Sequence, residues 1–187
     1  MTSPKLRAIA RDWPGVINSI LIAGVLIHAC GAKYLNWPWI LKAFIADSGV
    51  SKIDSAIAVT VYIGLSAVAA ISAGFAGVII VFGLTSPSPV FRSFRRESGD
   101  RLSANWTSVF SSAFLSAGFS IAAALIQLVG RPFVANMLFE IGVVLLAHST
   151  FRSVWLLRML LTLVAKDDET KDRAQKTEEK GNVFKSA

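Results

Sequence analysis

Long apolar stretches that carry almost no charge dominate the pattern of hydrophobic and polar positions along this chain. Between Ile53 and Leu84 the only charged residue is Asp54, and between Leu102 and Gly130 there is none. A helix in water needs one polar face, and these stretches have none, which is typical of segments that lie in lipid. The pattern therefore predicts an all-α integral membrane protein, a four-helix bundle. Its predicted spans cover about residues 14–32, 55–84, 103–129 and 133–155.

Turn-forming residues separate the last three spans. Pro87 and Pro89 follow span 2, where two prolines so close together cannot continue a helix, and Gly130 with Pro132 indicates a tight turn between spans 3 and 4. Span 2 would be about 45 Å long if it were wholly helical, which exceeds a hydrocarbon core of ~30 Å. We therefore expect span 2 to tilt or to project from one face of the membrane.

The end of span 4 has two interpretations. Arg152 and Arg158 interrupt an apolar run that reaches Ala165. Either span 4 ends near residue 151 and a second, interfacial helix follows, or one long helix leaves the bilayer obliquely while its arginines reach the headgroups along their own stems. The charged cytoplasmic tail at residues 166–187 is predicted to be mobile, because it is poor in apolar residues.

The first residues resemble a targeting segment. Basic residues precede an apolar run, and Ala29-Cys30-Gly31 resembles a lipoprotein cleavage site. A histidine at position 28 fits such a site poorly, however, and three further spans follow. We therefore interpret span 1 as a retained helix that follows a cytoplasmic arm at residues 1–13, and the membrane domain as residues 14–165. Cleavage after span 1 is the alternative.

A short amphipathic pattern follows span 1, between Asn36 and Asp47. Its apolar residues fall on one helical face. They are Trp37, Ile40, Leu41, Phe44 and Ile45. Tryptophans such as Trp37 and Trp39 settle at lipid headgroups, so we expect a short interfacial helix between spans 1 and 2, with a loop as the alternative.

The formal net charge of +7 lies beside the spans rather than in the tail, where basic and acidic residues balance. This placement indicates membrane orientation, and no nucleic-acid partner is predicted. Basic residues number three in the N-terminal arm, four in the 85–102 loop and eight after Phe151, against four on the opposite side. By the positive-inside rule, we expect a multi-pass protein of the cell inner membrane with both termini in the cytoplasm.

The four arginines of the 85–102 loop are candidates for contacts with anionic lipid headgroups or with a cytoplasmic partner. They are Arg92, Arg95, Arg96 and Arg101. The alternative is that they serve only as the topology signal.

Small residues recur at steps of four within the spans, which gives candidate faces for helix packing. They are Ser66, Ala70 and Gly74 in span 2, and Ser112, Ser116 and Ser120 in span 3. Small residues at this spacing let two helix backbones approach closely. A serine-lined water path is the alternative, and we favour packing.

Ionisable and strongly polar side chains within the spans are the best pointers to function, because they are costly in lipid. His28 and Gln127 fall near the outer ends of spans 1 and 3, while Tyr62 and Glu140 fall about two turns below the outer ends of spans 2 and 4. We expect these four residues to share one layer, with Glu140 accepting hydrogen bonds. The cluster would act as an ion sensor, a proton sensor or a gate, or else as a purely structural network.

The sequence contains no phosphate loop, no zinc-type histidine pair and no serine-hydrolase motif. The single cysteine, Cys30, excludes an intrachain disulfide and a cysteine-based metal cluster. The two histidines, His28 and His148, fall near opposite faces of the membrane, too far apart to hold one haem. We therefore predict neither an enzyme nor a cofactor or metal site.

Three classes of function remain. The first is a membrane-permeabilising or depolarising effector, of holin or defence type, that acts as an oligomer in the lipid bilayer. The second is a non-catalytic subunit, chaperone or immunity-type inhibitor of another membrane protein. The third is a small channel or transporter that uses the polar cluster. The absence of a soluble domain and the many small-residue faces favour the first class.

Overall fold

The structure is a computed structural model that describes residues 14–35, 37–39 and 54–185. These residues form four helices and no strand: α1 (Pro14–Tyr34), α2 (Ser55–Thr85), α3 (Pro89–Leu128) and α4 (Pro132–Lys185). Each helix is long and apolar enough to cross a membrane. The predicted all-α bundle with four spans is confirmed.

Local sequence explains where α2 begins and ends. The Asp54 side chain caps the start of α2 by accepting a hydrogen bond from the backbone N–H of Ala56. At the other end, the Arg95 guanidinium donates to the backbone carbonyls of Gly83 and Ser86, at 3.0 Å each. These carbonyls have no partner within the helix, so Arg95 acts as a cap supplied by the next helix.

Helix α3 begins well before its apolar span, whose first residue is Ser103. The Ser88 hydroxyl accepts a hydrogen bond from the backbone N–H of Val90, and Pro89 occupies the first turn, where its missing N–H costs nothing. At Gly99 the backbone leaves the helical conformation, with φ of 29°. A side chain would be strained at this φ, so the glycine permits a kink between the basic first segment and the span.

Helices α3 and α4 are joined by a tight turn, as predicted from the glycine and proline there. Gly130 adopts φ of 75°, and the backbone N–H of Arg131 donates to the carbonyl of Ile126 at 3.2 Å. We call this end of the bundle the turn end. The opposite end, which holds Arg95 and Arg152, is the basic end.

Helix α4 is a single continuous helix of 54 residues. At 1.5 Å per residue it is about 80 Å long, more than twice the thickness of a hydrocarbon core. Of the two interpretations of span 4, one long helix is therefore the arrangement observed. Helix continues through the charged tail, where Lys171 pairs with Asp167 and Arg173 with Glu169 at helical spacing. The mobility of the tail stays a prediction.

The core lies between α2, α3 and α4. At the turn end, Tyr62 packs with Phe139 and with four alanines, which are Ala58, Ala123, Ala124 and Ala135. At the basic end, Trp106 packs with Ala76, Val109 and Leu156. Helix α1 is attached more loosely, because it makes far fewer contacts with α3 and α4 than α2 does. Its apolar contact runs through Val25, which packs on Ile141 and Leu145 of α4.

The predicted interfacial helix falls largely outside the described residues. Trp37, Pro38 and Trp39 lie in no regular structure, so the helix does not include its first predicted turn. Asn36 and residues 40–47 lie outside the described part of the chain, and a helix there stays a prediction.

Candidate functional site

A histidine and a glutamate from different helices meet near the turn end. His28 lies on α1 and Glu140 on α4, and the distance between His28 Nδ1 and Glu140 Oε2 is 2.7 Å. Glu140 is 1% exposed, whereas 29% of the His28 side chain is exposed. A carboxylate buried among apolar helices is costly unless it is paired or protonated. The histidine offsets that cost, so the contact ties α1 to α4.

Aromatic rings surround His28. The ring centroids of Trp37 and Trp39 lie 6.1 and 6.0 Å from the imidazole, and Trp39 also packs edge-on against Phe133 of α4 at 5.3 Å. Trp37 reaches this place because position 31 is a glycine, where a Cβ atom would collide with the indole ring. Any side chain at Gly31 would therefore displace Trp37 from His28.

Tyr62 of α2 makes a second polar contact one turn along α4. Its hydroxyl donates to Asn136 Oδ1 at 2.7 Å, and its fully buried ring packs on Phe139 with centroids 4.8 Å apart. Because Asn136 precedes Glu140 by four residues, the two side chains lie on one face of α4. Helices α1 and α2 therefore each supply one hydrogen-bonding group to neighbouring turns of α4.

The predicted cluster is brought together only in part. His28 and Glu140 are in direct contact, and Tyr62 reaches the adjacent turn through Asn136. Gln127 does not hydrogen-bond to any of these residues in the described part of the chain, and its side-chain carbonyl oxygen is buried there without a partner. The prediction omitted Asn136, although its helical spacing from Glu140 was visible in the sequence.

The three serines of the candidate face on α3, Ser112, Ser116 and Ser120, are fully buried in the core. Ser116 Oγ donates to the backbone carbonyl of Gly142 at 2.6 Å, and Ser120 Oγ donates to the Ser116 carbonyl. A Cβ atom at Gly142 would lie 2.8 Å from Ser120 Oγ and 3.3 Å from the Ser116 oxygen. Ser112 Oγ accepts from Asn18 of α1 at 2.9 Å. In these contacts the serines act as packing and hydrogen-bonding groups between closely spaced helices.

The candidate face of α2 is divided between two sides of the helix. Ser66 is buried, but Ala70 and Gly74 are exposed on the surface of the bundle. The face that packs inside the chain instead runs through Ser66, Ala69, Ala73 and Ala76. Ala70 and Gly74 therefore pack against no other helix among the described residues, and a packing role for these two residues stays a prediction.

The basic end holds a separate polar cluster between α3 and α4. The Arg152 guanidinium donates to Asn105 Oδ1 and, at 3.3 Å, to Ser108 Oγ, while Ser149 Oγ donates to the Val109 carbonyl at 2.9 Å. Asn105 and Ser108 are buried. Arg152 is thus held within the bundle rather than reaching out to the headgroups.

Beyond the apolar run that ends at Ala165, Asp167 joins α3 to the α4 tail. Ser88 Oγ donates to Asp167, and Lys171 Nζ lies 2.6 Å from the same carboxylate. Hydrogen bonds from Lys171 and Ser88 lower the pKa of Asp167 below its usual range, and the same bond to Asp167 raises the pKa of Lys171.

Of the four loop arginines, Arg92 and Arg96 are exposed and Arg95 is half-buried, while the Arg101 side chain lies outside the described residues.

In the described part of the chain, no group of three or more histidine, cysteine, aspartate or glutamate side chains is arranged to hold a metal ion. Comparisons with protein-family models, curated proteins and solved structures found no match.

Proposed function

We propose that this chain is a non-catalytic membrane effector that self-associates and permeabilises or depolarises the cell inner membrane, with both termini in the cytoplasm. The observation that carries the proposal is a second small-residue face on α2, which points away from the core. We call it the outer face, and it consists of Gly64, Ala67, Ala70 and Gly74, all of which are exposed.

The two glycines of the outer face border open space. A Cβ atom built at Gly64 or Gly74 would meet nothing within 4 Å. A glycine inside a helix destabilises the helix by about 1 kcal/mol relative to alanine. Contact with lipid does not compensate for this loss of stability. Large apolar residues flank the glycines, including Ile71 and Phe75 at 61% and 67% exposure. Large side chains beside small residues form a ridge next to a groove, and a second membrane helix can pack closely against such a surface.

Helix α1 supplies the element that can move. In the described residues it is held to the core by a narrow apolar stripe and by the hydrogen bonds of His28 with Glu140 and of Asn18 with Ser112. If association of α2 helices displaces α1, these four side chains line the space between α1 and the core. Polar groups along such a space would let water and ions cross, which is the chemical requirement for depolarisation.

Cysteine cross-linking tests the self-association. In a Cys30→Ser background, Gly74→Cys places one thiol on the outer face, and Leu125→Cys places one at another exposed site, on α3. A disulfide needs Cα atoms about 4.4–6.8 Å apart, so oxidation should yield a dimer for Gly74→Cys and not for Leu125→Cys. Equal yields from the two variants would contradict the proposed interface.

A voltage-sensitive dye in cells tests the effector activity. Induction of the natural chain should depolarise the membrane, Gly74→Leu should abolish the effect, and Gly118→Leu should retain it. Gly118 is the matched control because it is also an exposed helical glycine with nothing within 4 Å. An unchanged potential after induction of the natural chain would exclude the effector function.

The length of α4 favours a second candidate function, a non-catalytic subunit or inhibitor of another membrane protein. About twenty helical residues continue beyond Ala165 and carry alternating charges, which provides a surface for a cytoplasmic partner. If the chain leaves the potential unchanged and a truncation at residue 165 abolishes its co-purification with one membrane protein, this function replaces the first.

A further inference from the structure

A cleft opens between α2 and α3 at the basic end, with a volume of about 510 Å³. Such a volume lies within the range of sites that bind small molecules. Its walls are mostly apolar: Ile80, Val81 and Leu84 come from α2, and Trp106 and Phe110 from α3, while Arg95 lies at one end.

Two glycines account for the cleft. Gly99, at which α3 is kinked, lines it on one side, and Gly77 of α2 lines it on the other. A Cβ atom at Gly77 would touch only Phe110, at 3.9 Å, so a larger side chain there could grow into the space. The cleft is thus a product of the kink and of a missing side chain, and it can be filled by substitution.

We propose that this cleft binds one anionic phospholipid, with an acyl chain along its apolar walls and the phosphate at Arg95. The cleft lies where the apolar part of α2 ends, at Thr85, and where the span of α3 begins, at Ser103. This is the level at which apolar chains give way to headgroups. Basic pockets between membrane helices at that level are suited to anionic lipid headgroups.

The charges at the cleft complement a phosphate. Arg95 uses Nη1 for both of its hydrogen bonds to the end of α2, which orients the guanidinium and leaves its other N–H groups for a ligand. The exposed Arg92 and Arg96 lie beside it on the same short segment. A neighbouring cleft between α3 and α4, of about 560 Å³, is lined by both Glu97 and Lys166, and so it lacks this positive bias.

Trp106 forms part of the cleft wall and can report on what occupies the cleft. Its side chain lines the cleft and is 4% exposed. A lipid chain bound in the cleft would therefore lie against this residue.

Quenching of Trp106 fluorescence by brominated lipid tests the proposal in the full chain. Four substitutions leave Trp106 as the only tryptophan: Trp13→Phe, Trp37→Phe, Trp39→Phe and Trp155→Phe. This variant is placed in phosphatidylcholine nanodiscs in which a small fraction of the lipid is brominated on its acyl chain. The brominated lipid is phosphatidylglycerol in one preparation and phosphatidylcholine in the other. Half-maximal quenching should require about fivefold less brominated phosphatidylglycerol than brominated phosphatidylcholine, since one arginine favours binding of the anionic headgroup by about that ratio.

Three further variants complete the test. Arg95→Gln, which keeps amide donors for the α2 carbonyls, should remove the preference, and Gly77→Leu should remove quenching by both lipids because it fills the cleft. Gly118→Leu, at an exposed site outside the cleft, should behave as the parent chain. Equal quenching by the two lipids, no quenching by either, or a preference that survives Arg95→Gln and Gly77→Leu together would overturn the proposal. The result is independent of whether the chain depolarises membranes.

Discussion

Helix α1 and the α2–α3–α4 core are held by different kinds of contact. In the core, the backbone of one helix lies against side chains of the next. A Cβ atom at Gly142 would collide with Ser120, and a Cβ atom at Gly83 would lie 2.9 Å from the Trp106 ring. Helix α1 instead meets the core through His28, Asn18 and a narrow apolar stripe. The core therefore combines close packing with hydrogen bonds between its helices, whereas α1 makes fewer contacts, which allows α1 to separate while the core stays intact.

The largest expected effect comes from adding volume between α3 and α4. Gly142→Val should destabilise the core by about 1–3 kcal/mol, because the Ser116 backbone carbonyl beside it has little freedom to move. Reversible unfolding of the purified protein in mixed micelles measures the change. Gly118→Val, which meets nothing within 4 Å, is the control, and equal destabilisation by both would refute the difference between core and surface.

The next effect concerns the contact that holds α1. A double-mutant cycle with His28→Ala and Glu140→Gln should give a coupling free energy near the upper end of the range for membrane helices, about 0.6–1.7 kcal/mol, because the contact is short and its carboxylate is buried. The same unfolding assay reports it. A coupling of zero would mean that the two side chains do not hold α1 to α4.

A smaller effect is expected for the polar contact inside the core. Tyr62→Phe removes the hydroxyl that donates to Asn136 but keeps the ring on Phe139, so it should cost about 0.6 kcal/mol. If this variant destabilised the protein more than Gly142→Val, polar contacts rather than shape would dominate the core. Tyr62→Leu serves as a comparison that also removes the ring.

The smallest effect is a dependence on pH at the basic end. Because the pKa of Asp167 is lowered in the folded chain, its contribution is present above the pKa of the unfolded chain and is lost as pH falls through the lowered value. The pKa of Lys171 is raised in the folded chain. The contribution of Lys171 to stability is therefore present below the pKa of the unfolded chain and is lost as the pH rises through the raised value.

Hydrogen exchange of the α4 tail measures this dependence. Protection should decrease on acidification below about pH 4, the ordinary range of a carboxyl group, and in Asp167→Asn it should no longer change there. A decrease of the same size in that variant would show that another group is responsible.

The sequence predicted the number of spans because long charge-free stretches have few alternatives in water. It did not predict that α3 begins at Pro89, before its apolar span, or that α4 continues to Lys185. It did not predict which side of α2 packs, since Ala69 and Ala73 lie beside Ala70 and Gly74 and all four are equally small. Only the structure shows that the first two are buried and the last two exposed.

The polar contacts illustrate a similar limit. Depth along the helices was enough to suggest that His28 and Glu140 share a layer, but rotation about each helix axis decides which partner is reached. Tyr62 faces Asn136, one turn from Glu140, and Gln127 makes no contact with the others in the described residues. Likewise, the composition of the tail suggested mobility, whereas the pairs Asp167–Lys171 and Glu169–Arg173 fit a continuing helix.

The helical tail of α4 extends well past the point where it is held to α3. Ser88 of α3 contacts Asp167, and the helix continues from that residue to Lys185. At 1.5 Å per residue this extension is about 27 Å long. A partner could therefore bind the charged end of α4 without touching the apolar helices of the bundle.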